Sequence, residues 1–439
     1  MSRGRTEPRT SRWGGLGQLT LVEHALCPLD TGQSLRKNLV FETGYYYADR
    51  NRHRRKAAVT VTCPQGLSPS DEFYLWGLLA LTFAEAGGGG PADGEFHATP
   101  HYCLRRLGLV DQRGNRGGRQ YQQFADALDR LAAVSYASDA FYDPVRAEHR
   151  RVRFRFLSYS LPLDPDSPRA WRVAWDPIFF DLVRPLGGHV RFDLDTYRRL
   201  DPAARRLFLL LSKIFDRRDT TPGFSVEHLA VDVLGFAPTL APRHQRQKLG
   251  RVVDALAAAG VVSGPAVFEK RGTAAGSHTV SFARGPRWDR ATPASAVRHT
   301  SDSPLWEGLL ALGFDAAAAD RLLRIYPRPT VREWLDITLA ARERFGTSFF
   351  RRSPQAYLVD NLKQAATSGR TPPDWWQELR NRERQRARPV AVPGGGPTPD
   401  PCRAVLRRVT EAVFSPGGET PAGTPGTVPS VADILRRRR

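Results

Sequence analysis

One succession of local patterns occurs twice in this chain, and it restricts the fold more than any other feature of the sequence. The first copy runs from an apolar helical stretch, SDEFYLWGLLALTFAEA (70–86), through EFHAT and HYCLRRLGL to the helical segment RQYQQFADALDRLAAV (119–134). The second copy runs from DPAARRLFLLLSKIFDRR (201–218) through GFSV and VEHLAVDVLGF to RHQRQKLGRVVDALAAAG (243–260). In both copies apolar residues recur with the helical period, and turn residues separate the segments.

Both copies end in strands with alternating apolar and polar residues. The first continues with VSYASDAFY and HRRVRFRFLSY, and the second with VFEKRGTAAGSHTVSF. A helix, a short strand, a helix-turn-helix and a β-hairpin follow one another in this order in winged-helix domains. The sequence therefore predicts two winged helices in tandem.

The rest of the chain reads as connections and as one helical module. Residues 286–302 are polar and punctuated by proline, residues 303–366 carry amphipathic helical patterns, and the end of the chain is rich in proline, glycine and arginine. We predict an α+β, mainly helical fold. Its predicted parts are a disordered basic N-terminus (1–17), winged-helix domain 1 (18–185), winged-helix domain 2 (186–285), a linker (286–302), a helical module (303–366) and a mostly disordered basic tail (367–439).

The charge of the 439-residue chain indicates its class of partner. A formal net charge of +20 attracts polyanions, nucleic acid first and an acidic membrane surface second. No apolar run approaches the roughly 18 residues of a membrane-spanning helix, and MSRGRTEPRTSRW lacks the apolar stretch of a signal peptide. We therefore expect a cytoplasmic protein that binds DNA and no membrane. The four scattered cysteines form no CxxC pair, so we predict no metal and no cofactor.

The last helix of the second copy has the pattern of a helix that reads bases. Its apolar positions Leu249, Val252, Val253 and Leu256 fix the buried side. At about 100° per residue, the opposite side carries polar residues concentrated in the N-terminal half. They are Arg243, His244, Gln247, Lys248 and Arg251. Arginine and glutamine can bond guanine and adenine edges in the major groove, whereas the alternative is an ordinary solvated helix face.

Further cations are candidates for contacts to the DNA backbone. The helix 119–134 presents Arg119, Gln122 and Gln123 outward, and the glycine-rich loop before it adds Arg113 and Arg116; this loop could equally be plain surface. Lys270 and Arg271 lie at the expected tip of the second hairpin.

The strand HRRVRFRFLSY has arginine at every second position. Arg151, Arg153 and Arg155 alternate with the apolar Val152, Phe154 and Phe156, so the arginines share one face. Two readings stay open. The arginines face phosphate or a partner subunit, or they pair across strands with acids such as Asp139, Asp143 and Glu148.

Several blocks of the sequence resemble the replication initiator protein A family of plasmid initiators. They are LTLVEHALCPLD, KNLVFET, AVTVTCPQGLSPSDEFYLWGLLALT, LRRLGL with RQYQQFADALDRL, YRRLDPAARRLFLLLSKIF, and HLAVDVLGF with KLGRVVDALAAAGVV. The resemblance spans about 18 to 285, and the helical part up to SPQAYLVDNLKQ resembles a module attached to many such initiators. It implies two winged helices that bind double-stranded origin DNA at repeated sites, promote opening and recruit host proteins such as a helicase or initiator. By the same likeness domain 2 would read the major groove, and domain 1 would contact the backbone or form a homodimer.

Enzymatic functions fit the sequence less well, so we expect no catalytic residues. The chain has no Gly-Lys dipeptide and hence no P-loop, and none of its ten histidines forms the His-x-His pair of a nicking enzyme. A primase-like site would use Asp193 and Asp195, but these acids lack the rest of a two-metal site, and Asp195 suits a helix cap. The alternative from the binding class is a winged-helix transcription regulator or a partition protein.

Overall fold

The computed structural model describes seven segments of the chain. They are residues 14–85, 93–110, 118–164, 167–185, 187–270, 278–289 and 300–387. Within them the fold is α+β with helices in the majority, as predicted. No helix in these segments has the length and apolar character needed to cross a bilayer.

The first part of the chain alternates strands and helices. In chain order the elements are β1 (Gly14–Gln18), α1 (Thr31–Ser34), β2 (Leu39–Ala48), β3 (Arg54–Cys63), α2 (Asp71–Glu85), β4 (Glu95–Ala98), α3 (Pro100–Arg106), α4 (Gly118–Ala133), β5 (Ser135–Asp143), β6 (Glu148–Phe154), β7 (Leu157–Ser160), β8 (Trp171–Trp175), α5 (Pro177–Val183) and β9 (His189–Asp193).

The second part is mainly helical. Its elements are α6 (Leu194–Arg199), α7 (Pro202–Phe215), β10 (Phe224–Ser225), the short helix His228–Val233, α8 (Pro242–Ala258), β11 (Val267–Lys270), β12 (His278–Ser281), α9 (Leu305–Ala311), α10 (Ala316–Ile325), α11 (Arg328–Phe345), α12 (Pro354–Ser368) and α13 (Asp374–Ala387).

A cap residue followed by proline starts several of these helices. Thr99, Asp176, Asp201 and Ser353 each accept a backbone hydrogen bond at the start of α3, α5, α7 and α12, and each precedes a proline. Proline suits the first helical turn because its missing N–H would have no partner there. At α6 the cap is Asp193, which accepts from Thr196 N at 2.6 Å. Asp195 lies inside that helix, two residues after the cap, so its assignment as a cap was wrong.

Antiparallel pairing organises the strands into small sheets. The orders are β2-β3-β5-β6, β4-β8-β7, β10-β12-β11 and β1-β9. The sequence placed β5 and β6 in the hairpin of the first winged helix, and this was wrong: β5 pairs with β3, whereas β4 pairs with β8 of the β7–β8 hairpin. Alternation shows which face of a strand is buried, but it does not show the neighbouring strand.

Two apolar cores hold these elements together. One is a single cluster of contacting side chains drawn from residues between Leu16 and Phe282. Helix α2 lies within it and is buried along almost its whole surface. The other lies within α9 to α12 and includes Trp334 and Leu358. The helices α9 to α13 are called the C-terminal module below. Its last helix, α13, extends the ordered helical part beyond residue 366, and residues 388–439 of the predicted tail lie outside the described residues.

Candidate nucleic-acid interface

Helix α8 is anchored by one apolar side. Leu249, Val252, Val253 and Leu256 are buried, as the sequence predicted. Near the start of the helix Gln245 is buried too, and its side-chain amide donates to the carbonyl of Leu240 at 3.0 Å. The N-terminal half of α8 is therefore fixed in orientation even though most of its side chains are polar.

The opposite side of α8 is exposed and cationic. Arg243, His244, Gln247, Lys248 and Arg251 are all exposed. Lys248 lies over the ring of Phe236 at 5.4 Å, and the other four make no side-chain hydrogen bond or ion pair with the described residues. Unpaired donors on a rigid helix are available to an external acceptor. Their role as DNA contacts stays a prediction.

Arg246 belongs to this helix but was not among the predicted residues. Its guanidinium is half-buried and donates to the ring of His278 on β12. This contact joins α8 to the β11–β12 hairpin, so we interpret Arg246 as a residue that positions the hairpin. Lys270 is exposed at the end of β11, and Arg271 lies outside the described residues.

The four-stranded sheet adjoins the helix that precedes α8. Asp232, in the helix His228–Val233, receives a hydrogen bond from His228 at 2.8 Å and lies 2.7 Å from the ammonium of Lys56 on β3. Burial raises the pKa of Asp232, but these two partners outweigh burial and hold the pKa below its usual value. The ring of Tyr46 on β2 meets that of His228 edge-on, with centroids 4.8 Å apart.

Arg151 and Arg153 of β6 lie on the open face of this sheet, and Arg155 follows directly after the end of β6. Val152, Phe154 and Phe156 are buried and Arg151, Arg153 and Arg155 are exposed, so the predicted alternation is confirmed. The three acids proposed as partners are engaged elsewhere. Asp139 accepts from Ala58 N at 2.8 Å, Asp143 pairs with Arg150 at 3.4 Å and Glu148 pairs with Arg50 at 2.8 Å.

The contacts of these acids decide against one of the two readings of the arginine strand. Within the described residues none of the three arginines makes an ion pair, so cross-strand pairing with those acids was wrong. The strand register shows why, because Arg153 stands opposite Ala137, not opposite an acid. The arginines remain available to phosphate or to a partner subunit.

Two cations of β3 extend this face, and the sequence analysis missed them. Ala137 pairs with Thr60 of β3, and alternation from Thr60 places Lys56 and Arg54 on the same face as Arg153. Arg54 lies 4.0 Å from the ring centroid of Tyr46. The alternation in RRKAAVTVTC could have revealed them. We call Arg54, Lys56, Arg151, Arg153 and Arg155 the sheet cations.

Helix α4 offers fewer free donors than predicted. Arg119 and Gln123 are exposed, but the amide of Gln122 donates to Asp126 at 2.9 Å on the same helix. Gln122 is therefore engaged within its own helix. Arg113 and Arg116 of the preceding loop lie outside the described residues.

Asp193, one of the two acids of the primase-like alternative, has a structural role. Asp193 caps α6 through one oxygen, and its other oxygen lies 2.6 Å from Arg287. The part of the chain that the structure describes holds no group of three or more His, Cys, Asp or Glu placed to bind a metal ion.

Comparison with known proteins gave a distant structural likeness. No protein-family model matches the chain, and no curated protein matches it. The crystal structure of selenomethionine derivatives of domains 2 and 3 of RctB aligns at 14% identity with a TM-score of 0.39, covering 61% of this chain and 96% of that chain. A second crystal structure of RctB domains 2–3 aligns at 13% identity with a TM-score of 0.35, covering 59% of this chain and 98% of that chain. These scores are too low to assign a common fold or function, so the function below is inferred from the residues of this chain.

Proposed function

We propose that the chain is a non-enzymatic plasmid replication initiator that binds double-stranded origin DNA in the cytoplasm through two winged-helix units. The observation that carries the proposal is the exposed row Arg243, Gln247 and Arg251 on the anchored first part of α8, a row that forms no ion pair with the described residues. In a helix-turn-helix, residues in the N-terminal half of the second helix contact base edges in the major groove.

The order of the elements supports this assignment. The second unit comprises α7, β10, the helix His228–Val233, α8 and the β11–β12 hairpin, with sheet order β10-β12-β11. The first unit comprises α2, β4, α3, α4 and the β7–β8 hairpin, with the equivalent sheet order β4-β8-β7. Both orders agree with a winged helix.

The two sets of cations would have different tasks. Arg243, Gln247 and Arg251 would read bases. Among the sheet cations, Arg151, Arg153 and Arg155 are exposed and would contact phosphates, since a flat sheet face does not enter a groove, whereas Lys56 is paired with Asp232. The replication role itself rests on the sequence blocks that resemble plasmid initiators. It includes local opening of the origin, recruitment of a host helicase or initiator, and a homodimer as the binding form.

The first experiment compares duplex DNA flanking the gene with a shuffled duplex of equal composition over a salt titration. We expect the wild-type chain to prefer the native duplex, and Arg243→Ala with Arg251→Ala to lose about 30-fold or more of that preference, because each good bidentate contact contributes about 1–3 kcal/mol. Arg217→Ala with Arg218→Ala removes the same charge from exposed positions after α7 and is the matched control. An equal loss on both duplexes would make the α8 arginines phosphate contacts.

A second experiment separates an initiator from a regulator. The preferred fragment is placed on a plasmid without another functional origin, and the chain is supplied from a second replicon. We expect stable transformants with the wild-type chain and none with Arg243→Ala and Arg251→Ala. Specific binding without replication would favour the transcription regulator or partition protein.

A further inference from the structure

The C-terminal module is docked on the first unit through a polar interface, and at two places on it carboxylates of the module face arginine and hydroxyl groups of the first unit. Elsewhere the polarity is reversed, since Arg332 of the module lies 3.9 Å from Asp93. The first unit contributes threonine, serine and arginine side chains from α3 and from the connection between β7 and β8. The module contributes carboxylates, and they come from Asp302 just before α9, Glu307, Asp336, Glu343 and Glu383.

One set of contacts covers α3. Glu307 accepts from the Thr99 hydroxyl at 2.8 Å, and its other oxygen lies 3.3 Å from the guanidinium of Arg105. Asp302 accepts from Arg106 at 2.6 Å, and its backbone carbonyl accepts from the Tyr102 hydroxyl at 2.7 Å. The Nε of Arg105 is buried and donates no hydrogen bond within the part of the chain that the structure describes, so the carboxylates do not exhaust its donors.

The other set covers the connection between β7 and β8. Arg169 is 2% exposed and donates to Asp336 at 2.8 Å and to Glu383 at 2.7 Å. Beside it the Ser167 hydroxyl donates to Glu343 at 2.6 Å. The module thus holds both the helix before α4 and the hairpin of the first unit.

The hydroxyl and guanidinium groups that the module covers are of the kind with which DNA-binding proteins contact phosphates. Contacts to the DNA backbone come mainly from arginine, lysine, serine and threonine, and guanidinium groups bind carboxylate and phosphate with the same geometry. Here a hydroxyl and an arginine face carboxylates twice, once on α3 and once on the β7–β8 connection. Both elements belong to the parts of a winged helix that approach DNA, and α3 leads directly into α4.

We infer that the carboxylates of the C-terminal module occupy a DNA-backbone surface of the first unit, so that duplex DNA and the module compete for Thr99, Arg105, Arg106 and Ser167. The inference rests on the proposed DNA-binding function. The second unit binds first, and the first unit engages DNA only when the module has left. On this surface the ligand that competes with the module is the sugar-phosphate backbone of duplex DNA, so binding there requires no particular base sequence.

The test uses the full chain with Asp302→Asn and Glu307→Gln and a duplex of random sequence. The substitutions remove the carboxylate charges of the module from Arg105 and Arg106. Two added phosphate contacts would make log affinity depend on log salt more steeply, by up to about 1.8, from the factor of about 0.9 per phosphate. At low salt we expect binding about 10-fold tighter or more. Adding Arg105→Ala and Arg106→Ala to this variant should abolish the gain, whereas the same two alanines alone should change binding little, because the module already covers those arginines.

Asp360→Asn with Glu378→Gln is the matched control. It makes the same change of charge at exposed positions of α12 and α13 away from the interface. An equal gain from this control, or a gain that survives removal of Arg105 and Arg106, would show a general charge effect and overturn the inference. If neither the wild-type chain nor any variant bound duplex DNA, the proposed function would fail together with it.

Hydrogen exchange on the wild-type chain gives a test that needs no variant. Saturating duplex should increase amide exchange in α9, α11 and α13, which make the interface. Bound duplex with unchanged exchange in these helices would overturn the competition while leaving the proposed function intact.

Discussion

At the scale of single residues, Arg206 ties the first part of the core to the second. It is 3% exposed on α7, and it donates to Glu72 of α2 at 2.7 Å and to the carbonyl of Leu234 at 2.6 Å. Removing one partner of a buried pair leaves the other charge uncompensated. We expect Glu72→Ala to lower the free energy of unfolding by about 3–5 kcal/mol, measured by urea denaturation.

The double variant Glu72→Met with Arg206→Met is the control for this prediction. It removes both charges and fills their space with apolar atoms, which is often tolerated in buried pairs. We expect it to recover part of the loss, the rest reflecting the unpaired Leu234 carbonyl. Equal destabilisation of the single and double variants would mean that packing, and not the uncompensated charge, sets the cost.

Glu343 introduces a pH dependence at the module interface. Burial raises its pKa to about 7, against the opposing effects of Ser167 and Arg169. A carboxyl whose pKa is higher in the folded than in the unfolded chain binds its proton more tightly when folded, so the stability it contributes is present at low pH and is lost as the pH rises to about 7. We expect Glu343→Gln to flatten the stability profile between about pH 5 and pH 7, measured by denaturation at a series of pH values.

The exposed Glu378→Gln on α13 is the comparison for this profile and should leave its slope unchanged. Glu85, whose pKa burial also raises to about 7, contributes in the same direction and remains in both variants. A Glu343→Gln profile as steep as that of the wild-type chain would show that the Glu343 carboxyl does not take up a proton in this range.

At the scale of elements, the strand β6 and the helix α8 should respond differently to loss of charge. Replacing Arg151, Arg153 and Arg155 by alanine should weaken binding to every duplex alike and reduce the salt slope by up to about 2.7, since each phosphate contact contributes about 0.9. The preference for native DNA over shuffled DNA should persist. The measurement is the salt-titrated binding of both duplexes. The triple variant Arg321→Ala, Arg351→Ala and Arg352→Ala removes the same charge from exposed positions of the module, and an equal effect there would contradict the assignment of β6.

The sequence predicted those elements whose pattern of apolar and polar residues lies within the element itself. Helix α8 was predicted as 243–260 and spans Pro242–Ala258, because its apolar period and its proline both lie within the segment. The alternation in β6 likewise identified the exposed face. The pairing of β5 with β3 was missed because it depends on a strand that lies more than 70 residues earlier in the chain. The candidate site was predictable to the same extent. The helical period shows which cations are exposed, but it does not show whether the exposed side of α4 leaves Gln122 free or bonded to Asp126.

At the scale of the whole molecule, no pattern in the sequence indicates how the module docks. Arg169 stands alone in the proline-rich stretch LPLDPDSPRAW, and its partners Asp336 and Glu383 follow 167 and 214 residues later. No periodicity connects positions so far apart. The predicted linker, 286–302, lies between the second unit and the C-terminal module, and its residues 290–299 are outside the described residues. The result is two apolar cores joined by charged contacts, a weaker junction than a shared core because buried ion pairs offset their attraction with desolvation.

This junction predicts how the molecule comes apart. Arg169→Ala leaves Asp336 and Glu383 buried without their main partner, and breaking such a pair costs about 3–5 kcal/mol. We expect calorimetry to show the module unfolding at a lower temperature than the rest of the Arg169→Ala chain, while the two transitions lie closer together in the wild-type chain. Arg172→Ala, which breaks an ion pair with Glu95 inside the first unit, is the control and should leave the module transition in place. Since Arg169→Ala loosens the same interface that covers Arg105, it should also bind random duplex more tightly than the Arg172→Ala chain; an earlier module transition without tighter binding would show that docking stabilises the module but does not restrain the first unit.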